Sequence, residues 1–203
     1  MIAIINYDAG NLASVSNALK RLDVEHVITN KKAELDRADG VIFPGVGHAS
    51  PAMASLRDNH LDGWLRKTGK PVLGICLGMQ LLYEASEEGD AQGLGIIPGT
   101  LKKFDSSKDK VPHMGWNTFS EVRDPDHPLV RGFGTDNHFY YVHSYYAPVN
   151  EYTIASCRYI TEFASVVSRD NFTGVQFHPE KSGPTGARLL RNFIESVPLT
   201  VNG

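Results

Sequence analysis

The sequence predicts an α/β protein in three layers: a mostly parallel central sheet with helices on both faces, and an additional antiparallel β section in the C-terminal half. In the first half, short apolar runs alternate with amphipathic stretches, as in parallel strands joined by covering helices. Over residues 100–176, several β-rich runs instead follow one another with turn residues between them. We therefore expect one domain over residues 1–197 and a short C-terminal tail over residues 198–203.

Four strands and three helical stretches are predicted in the first half. Apolar runs place the strands at residues 2–6, 24–28, 40–43 and 71–75. Apolar residues at helical spacing predict helices over residues 12–22, through Leu56, Leu61 and Leu65, and over residues 77–85.

A hairpin and a closing helix are predicted near the end of the chain. Two β runs, at residues 166–168 and 173–177, flank Arg169-Asp170-Asn171, whose residue types favour a turn. The closing helix has Pro184 near its start, where proline is tolerated. Its apolar face is formed by Leu189, Leu190, Phe193, Ile194 and Val197.

Composition and charge exclude several classes of function. The 203 residues carry a net charge of −3, and no run of like charge exceeds two residues, so nothing favours nucleic acid or an anionic membrane. The longest run without a polar side chain, residues 71–79, is far shorter than the roughly 20 residues of a membrane span. Two cysteines form no disulfide framework, so we expect a reducing cytoplasm and, at the N-terminus, no signal peptide. The eight histidines lack paired-ligand spacing, so no metal site is predicted.

A candidate nucleophile lies where the fourth strand turns into a helix, in Gly74-Ile75-Cys76-Leu77-Gly78. The pattern is that of a nucleophile elbow with cysteine in place of serine. The helix beginning at Leu77 presents free N–H groups and a positive dipole end, which favour thiolate over thiol and would hold an oxyanion. A small buried hydrophobic residue is an equal alternative for Cys76 on this motif alone. Cys157 has no such setting and is predicted to be structural.

A candidate base and its orienting carboxylate occur in His178-Pro179-Glu180. In an extended segment, residues two apart face the same side, so His178 and Glu180 can lie side by side. Alone, the triplet is more commonly a surface pair of little energetic value. Combined with Cys76, it completes a nucleophile–base–carboxylate triad. The chain order differs from that of α/β-hydrolases, in which the acid precedes the histidine.

These residues resemble those of a known family. The segments Gly74-Ile75-Cys76-Leu77-Gly78-Met79-Gln80 and Phe177-His178-Pro179-Glu180 together resemble the class I (triad) glutamine amidotransferases. Within that family, four segments are similar to the glutaminase subunits of imidazole glycerol phosphate synthases, which act in histidine biosynthesis: Pro44-Gly45-Val46-Gly47-His48, Pro112-His113-Met114-Gly115-Trp116-Asn117, Val142-His143-Ser144-Tyr145 and Glu180-Lys181-Ser182. The family's first loop usually has an aspartate and a glycine where this chain has Asn6 and Asp8, and a phenylalanine is common where Ala49 stands.

The resemblance implies a reaction and a role for each matching residue. Cys76 would attack the side-chain amide of L-glutamine, His178 would protonate the leaving ammonia, and Glu180 would orient His178. Backbone N–H groups of Val46, Gly47 and Leu77 would hold the oxyanion, after a reorientation of the strand at residues 44–47 that the partner promotes. The substrate would be bound by Gln80, Glu88, Ser144 and Tyr145, of which Gln80 and Glu88 would otherwise be interpreted as solvated helix-face residues.

The resemblance also implies a partner and no cofactor. The predicted domain consumes the chain and leaves no site for an ammonia acceptor. The family supplies one as a separate (β/α)8-barrel cyclase subunit. The positions that match its interface are Asn11, Met114, Trp116, Tyr140 and Lys181. Trp116 and Tyr140 are residue types that often anchor interfaces, although core packing is an equal alternative for Tyr140.

Three other functions remain open on sequence alone. The first is the glutaminase component of another synthase, such as that of anthranilate or guanine nucleotides; those usually carry P-G-P-G and G-H-Q, where this chain has Pro44-Gly45-Val46-Gly47 and Gly78-Met79-Gln80. The second is a thiol hydrolase of related α/β fold, which would need neither a partner nor Gln80. The third is an inactive, flavodoxin-like binding module, which the intact triad argues against.

Overall fold

A computed structural model describes residues 1–198; residues 199–203, most of the predicted tail, lie outside the described part. The strands are β1 Ile2–Ile5, β2 His26–Thr29, β3 Gly40–Gly45, β4 Val72–Cys76, β5 Tyr83–Ser86, β6 Ala91–Gln92, β7 Ile97–Lys103, β8 His113–Val122, β9 His138–His143, β10 Tyr145–Tyr146, β11 Thr153–Arg158, β12 Glu162–Arg169 and β13 Phe172–Val175. The α-helices are α1 Leu12–Arg21, α2 Lys32–Arg37, α3 Ala49–Asp58, α4 Leu61–Leu65, α5 Leu77–Gln80 and α6 Gly183–Ser196, and 3₁₀ turns cover Pro128–Val130 and Pro179–Lys181.

The central sheet has nine strands in the order β2-β1-β3-β4-β13-β12-β11-β8-β9. The pairings from β2 to β13 are parallel, and those from β13 to β9 are antiparallel. The predicted α/β class with an antiparallel C-terminal section is confirmed, with one refinement. The antiparallel section is as extensive as the parallel one and continues the same sheet. A smaller sheet, β10-β7-β5-β6, lies beside it.

Helices cover both faces of the parallel section, as predicted. Ile2 and Ile4 pack in one core with Leu19 of α1 and Leu189 of α6. Ala3 and Ile5, which point the opposite way along the same strand, pack in a second core with Leu56 of α3 and Leu61 of α4. Burial on both faces explains why β1 is a continuous apolar run instead of an alternating one. No helix within residues 1–198 is long and apolar enough to span a membrane.

The predicted helix over residues 77–85 is wrong beyond Gln80. The helix α5 ends there, and β5 begins at Tyr83 and pairs with both β6 and β7. The backbone N–H groups of Gly95 and Ile97 donate to the carbonyls of Tyr83 and Leu82. These pairings outweigh the helical spacing, because tertiary contacts override a weak local preference.

Other predicted elements also differ from the structure. The helical stretch predicted through Leu56, Leu61 and Leu65 is two helices, α3 and α4, because His60 between them has a left-handed backbone, and β1, β3, β12 and β13 end or begin one to four residues from the predicted bounds. The second strand begins at His26 instead of residue 24, because the Val24 N–H donates to the Leu19 carbonyl and completes the end of α1. Helix α2 was not predicted because Leu35 is its one buried residue, so it has no apolar repeat.

The predicted hairpin and closing helix are confirmed. Strands β12 and β13 pair with Arg169 opposite Phe172, and Asp170 adopts the left-handed conformation of a tight turn. Helix α6 has its proline in the first turn and its apolar face buried. Because β13 pairs in parallel with β4, the carboxyl ends of these two strands meet at one edge of the sheet.

Candidate active site

The segment around Cys76 forms a sharp strand-to-helix turn. Strand β4 ends at Cys76, and α5 begins at Leu77. Cys76 has φ 53° and ψ −110°, a conformation that a non-glycine residue rarely adopts and that marks nucleophile elbows. A β-carbon at Gly74 would lie 2.8 Å from the Met79 amide nitrogen, and one at Gly78 would overlap the Phe43 carbonyl. The two glycines are therefore needed for this turn to pack against the sheet.

His178 and Glu180 lie side by side as predicted, but the segment that carries them is not extended as the prediction assumed. Glu180 belongs to a 3₁₀ turn, which brings its Oε1 to 2.8 Å from His178 Nδ1. The two side chains are only 4% and 2% exposed, so this pair is buried and not a surface pair. The His178 N–H donates to the Tyr140 carbonyl at 2.8 Å, and Ser182 Oγ donates to the His178 carbonyl at 2.7 Å. The backbone of the histidine is thus held on both sides.

Electrostatics favour a protonated His178. Burial alone lowers the pKa of His178, but hydrogen bonding and charge interactions with Cys76 and Glu180 outweigh burial and raise this pKa to about 10. Since Nδ1 faces Glu180, Nε2 is the nitrogen left for Cys76. Burial and the nearby Cys76 charge also raise the pKa of Tyr7 far above its usual range. The Tyr7 hydroxyl donates to the Pro44 carbonyl at 2.9 Å, so it is a neutral structural group.

A cavity of about 480 Å³ opens in front of Cys76 and His178. It contains all the predicted oxyanion and substrate positions and two of the predicted interface positions: Val46, Gly47, Leu77, Gln80, Glu88, Ser144, Tyr145, Asn11 and Lys181. Glu180 lies behind His178 and does not line this cavity. Residues spread over the whole sequence therefore meet at the carboxyl edge of the sheet.

The segment after β3 forms the exposed wall of this cavity. Strand β3 places Gly45 opposite Cys76, and the chain then leaves the sheet. Val46 is 40% exposed, and Gly47 has φ +103°, which favours glycine. No atom lies within 4 Å of a β-carbon built on Gly47, so space does not restrict this peptide.

Glu88 lies at the same end of the cavity and is not a freely solvated residue. Its Oε2 accepts the N–H of Ala49 at 2.8 Å, in the first turn of α3. A carboxylate at a helix N-terminus satisfies an otherwise free N–H group. Burial, followed by the charges of Glu88 and Glu87, raises the pKa of Tyr145, which lines the same cavity.

Gln176 is a residue of the site that sequence reasoning missed. It is fully buried directly after β13, and its Nε2 lies 3.8 Å from Cys76 Sγ. Its Oε1 accepts a hydrogen bond from Gln80 Nε2 at 2.9 Å, and the same nitrogen donates to the Tyr145 carbonyl at 3.0 Å. The signal was present in the sequence, because Gln176 is two residues before His178 in an extended segment and faces the same side.

A buried histidine pair supports the opposite wall. His143 Nδ1 lies 2.8 Å from the Tyr145 carbonyl, and His113 Nδ1 lies 3.0 Å from His143 Nε2. Because a carbonyl only accepts, His143 donates from Nδ1, and its Nε2 must accept from His113. Burial lowers the pKa of His113 to about 4 and that of His143 to about 3. Both rings are therefore neutral at pH 7.

The remaining predicted interface residues lie outside the cavity. Met114 and Trp116 are 63% and 57% exposed, whereas His113, the first residue of β8, is buried. Tyr140, opposite Trp116 on β9, contacts it with ring centroids 5.8 Å apart. Tyr140 is half-buried, so neither pure core packing nor full exposure describes it.

Cys76 and Cys157 are both free thiols. Cys157 is fully buried, and burial raises its pKa to about 12, which fits the structural role predicted for it. In the described residues, no group of three or more His, Cys, Asp or Glu side chains could hold a metal ion.

Comparisons with known proteins agree with this geometry. Residues 3–197 match the family model described as "Glutamine amidotransferase class-I". The chain is 50% identical over 196 residues to imidazole glycerol phosphate synthase subunit HisH of Bacteroides fragilis strain YCH46, covering 96% of this chain and 98% of that one. It is 43% identical to the protein of the same name from Staphylococcus aureus strain MRSA252, covering 96% and 97% of the two chains.

Solved structures agree at the level of the fold. A crystal structure of a glutamine amidotransferase superposes with a TM-score of 0.74 at 21% identity, covering 96% of this chain and 98% of that one. The structure of PurLQS from Thermotoga maritima gives a TM-score of 0.69 at 18% identity, with 97% and 98% covered. From the family match and the long, highly identical relatives, the chain belongs to the class I glutamine amidotransferases.

Proposed function

We propose that this chain is the glutaminase subunit of an imidazole glycerol phosphate synthase. It hydrolyses L-glutamine to glutamate and ammonia and supplies the ammonia to a separate cyclase subunit in histidine biosynthesis. The main support is the buried pair of His178 and Glu180, because His178 lines, together with Cys76, a cavity large enough for an amino acid. The full-length similarity to proteins named HisH favours this synthase over other ammonia-using synthases.

Acylation begins with attack of the Cys76 sulfur on the side-chain carbonyl carbon of glutamine. The carbonyl oxygen becomes an oxyanion, to which the N–H groups of Leu77 and, after reorientation of the segment at residues 44–47, of Val46 and Gly47 would donate hydrogen bonds. His178 transfers its Nε2 proton to the amide nitrogen, the C–N bond breaks, and ammonia leaves. The raised pKa of His178 suits this step, because the proton is already on the imidazole when the bond breaks.

Deacylation uses the same histidine in the opposite direction. Formation of the thioester removes the negative charge of Cys76, which is one of the two charges that raise the pKa of His178. Burial then lowers this pKa, so the neutral imidazole can take a proton from water. The water oxygen attacks the thioester carbonyl, the C–S bond breaks, and glutamate and the sulfur anion are released. Glu180 keeps the ring oriented in both steps.

The substrate is held by groups that line the same cavity. The Glu88 carboxylate is suited to the α-ammonium of glutamine, Gln80 can face the substrate, and Ser144 and Tyr145 would hold its carboxylate end. These assignments rest on the shared cavity and on the family resemblance.

The cyclase subunit, a (β/α)8 barrel, docks on the surface formed by Asn11, Met114, Trp116, Tyr140 and Lys181. Two of these residues are large and highly exposed, which is unusual for a surface that stays in water. Trp116 contacts Tyr140 edge-to-face, and the Tyr140 carbonyl accepts a hydrogen bond from the His178 N–H, so a single residue connects this surface to the triad. We infer that the complex is cytoplasmic, because both thiols are free.

Glutamine hydrolysis with and without the cognate cyclase subunit tests this function. We expect slow hydrolysis by the chain alone, strong stimulation by the cyclase, and loss of the stimulated activity in Cys76→Ser. Cys157→Ser serves as the matched control and should keep the stimulation. Fast turnover by the single chain would contradict the partner requirement, and stimulated activity that survives Cys76→Ser would remove Cys76 from its role.

A further inference from the structure

We propose that Gln176 is a positioning residue for the nucleophile: its side-chain amide donates a hydrogen bond to the Cys76 sulfur and stabilises the thiolate form. This inference rests on the proposed function of Cys76 as the nucleophile. It adds a member to the site behind the triad, on the side of Cys76 away from the cavity mouth, since Gln176 does not line the cavity.

The contact has the geometry of a weak hydrogen bond to sulfur. Gln176 Nε2 lies 3.8 Å from Cys76 Sγ, a separation at which the large sulfur atom still accepts. The Gln176 side chain is fully buried, so water does not compete for the amide. In such surroundings a hydrogen bond to a charged acceptor is stronger than the same bond in water. A thiolate therefore gains more from this amide than a thiol does.

The orientation of the Gln176 amide is fixed by its neighbours. The Tyr145 carbonyl can only accept, so the Gln80 side chain must turn its NH₂ group toward it. The same NH₂ group faces Gln176, which must therefore present its oxygen to Gln80. Gln176 is left with its NH₂ group facing the sulfur. A flipped amide would place two donors together at one end and an oxygen against an anionic sulfur at the other.

The start of this chain of hydrogen bonds is itself held in place. The Tyr145 carbonyl also accepts from His143 Nδ1, whose ring is fixed in turn by His113. The backbone N–H of Gln176 donates to the Ser165 carbonyl at 2.9 Å. Both ends of the Gln176 side chain are thus anchored, which allows a single amide to set the position of the sulfur.

The Cys76 sulfur has a second polar contact, because it lies 3.7 Å from the Val142 carbonyl, which accepts a hydrogen bond only from the thiol form and so opposes the effect of Gln176. Titratable neighbours of the sulfur are His178, on the segment after β13, and Tyr7, on the segment after β1. Glu180 and His143 lie next to His178 and act through it. A glutamine amide does not titrate, so Gln176 adds no titration of its own to this site.

The test is the pH dependence of Cys76 alkylation by iodoacetamide in the complex with the cyclase, read by mass spectrometry of the Cys76 peptide. Gln176→Met keeps the length of the side chain but removes both the donor to Cys76 and the acceptor for Gln80. We expect the midpoint to move upward by about one pH unit, equivalent to about tenfold slower alkylation below the midpoint. Rates should converge at high pH, where every thiol is ionised. Gln92→Met, on the exposed strand β6, is the matched control and should leave the midpoint unchanged.

Alternative outcomes are distinguishable. An unchanged midpoint in folded Gln176→Met overturns the proposal, and a rate that falls equally at every pH does the same, because that would indicate altered access. If Gln176→Met does not fold, Gln176→Asn keeps an amide but is too short to span from Gln80 to Cys76, and it should show the same shift. Alkylation does not require glutamine turnover, so this test can fail while the proposed glutaminase activity holds. In turnover, we expect kcat to fall.

Discussion

The two walls of the cavity differ in how firmly they are built. The wall with His178 and Gln80 is buried, and these two side chains are hydrogen-bonded to Glu180 and Gln176, which lie behind the cavity lining. The wall with Val46 and Gly47 is exposed, has a glycine at φ +103° and has open space around it. The nucleophile and base are thus pre-organised, whereas the oxyanion side can change its backbone at little cost. A partner can therefore control the oxyanion N–H groups by contacting the exposed wall.

The largest expected effect comes from breaking the buried wall. His178→Ala removes the proton donor and should lower the cyclase-stimulated kcat by about 10⁴-fold or more. Glu180→Gln keeps an acceptor within reach of His178 Nδ1 but removes the charge, and should lower kcat by about 10²-fold, since Glu180 orients the ring and transfers no proton. Steady-state glutaminase assays of the complex measure both. Equal residual rates in the two variants would contradict this ranking.

The exposed wall is tested by Gly47→Ala. An L-residue at this φ is strained by about 1–2 kcal/mol, and because no atom is near the new methyl group, the effect is confined to the backbone. We expect the cyclase-stimulated kcat to fall by about tenfold, one tenfold step being about 1.4 kcal/mol in the barrier. Gly95→Ala is the matched control, with φ +66° and equally open space far from the cavity.

Thermal unfolding separates strain from function in this pair. Both alanine variants should lose a similar stability, because both place an L-residue at positive φ. Only Gly47→Ala should lose stimulation. A loss of stimulation in both would indicate a general effect of strain and would remove the special role of the exposed wall.

The sequence predicted the buried wall better than the exposed one. The elbow at Cys76 and the pair of His178 and Glu180 follow from local rules, namely small residues at a sharp turn and spacing of two along a strand. Gln176 obeys the same spacing but was missed, since an amide carries no titratable signal. The early end of α5 was missed because the pairing of β5 depends on β7, which lies beyond any local window.

Contacts between residues far apart in the sequence could not be predicted from it. The contact of Glu88 with Ala49 joins residues 39 positions apart, and no spacing rule connects them. The His113–His143 pair depends on the register of β8 against β9, which is set by the whole antiparallel section. The resemblance to the family supplied most of the cavity positions, whereas periodicity alone placed Gln80 and Glu88 on a solvated helix.

A smaller effect is expected from Glu88, which connects the exposed wall to the substrate. Glu88→Gln keeps an oxygen for the Ala49 N–H but removes the charge proposed to meet the substrate ammonium. We expect KM for glutamine to rise by about tenfold with kcat nearly unchanged, since the contact is the same in ground and transition states. Glu87→Gln removes the neighbouring carboxylate charge, which pairs with Lys102, and is the matched control. A KM change in both variants would indicate a diffuse charge effect instead of a contact.

The smallest expected effect is on stability, and its sign differs between the two sets of histidines. The pKa of His178 is raised to about 10, so its stabilising contribution is present below the ordinary histidine pKa and is lost as pH rises toward 10. The pKa values of His113 and His143 are lowered to about 4 and 3, so the unfolded chain binds protons more readily and stability is lost as pH falls below about 6.5.

Urea unfolding at pH 7 and pH 5 should show this loss of stability in acid. In His113→Gln, the loss between these two pH values should shrink by about 1 kcal/mol, because one buried neutral ring no longer has to be protonated on unfolding. An acid loss of the same size in wild type and His113→Gln would mean that the histidine pair does not govern the stability of this wall at low pH.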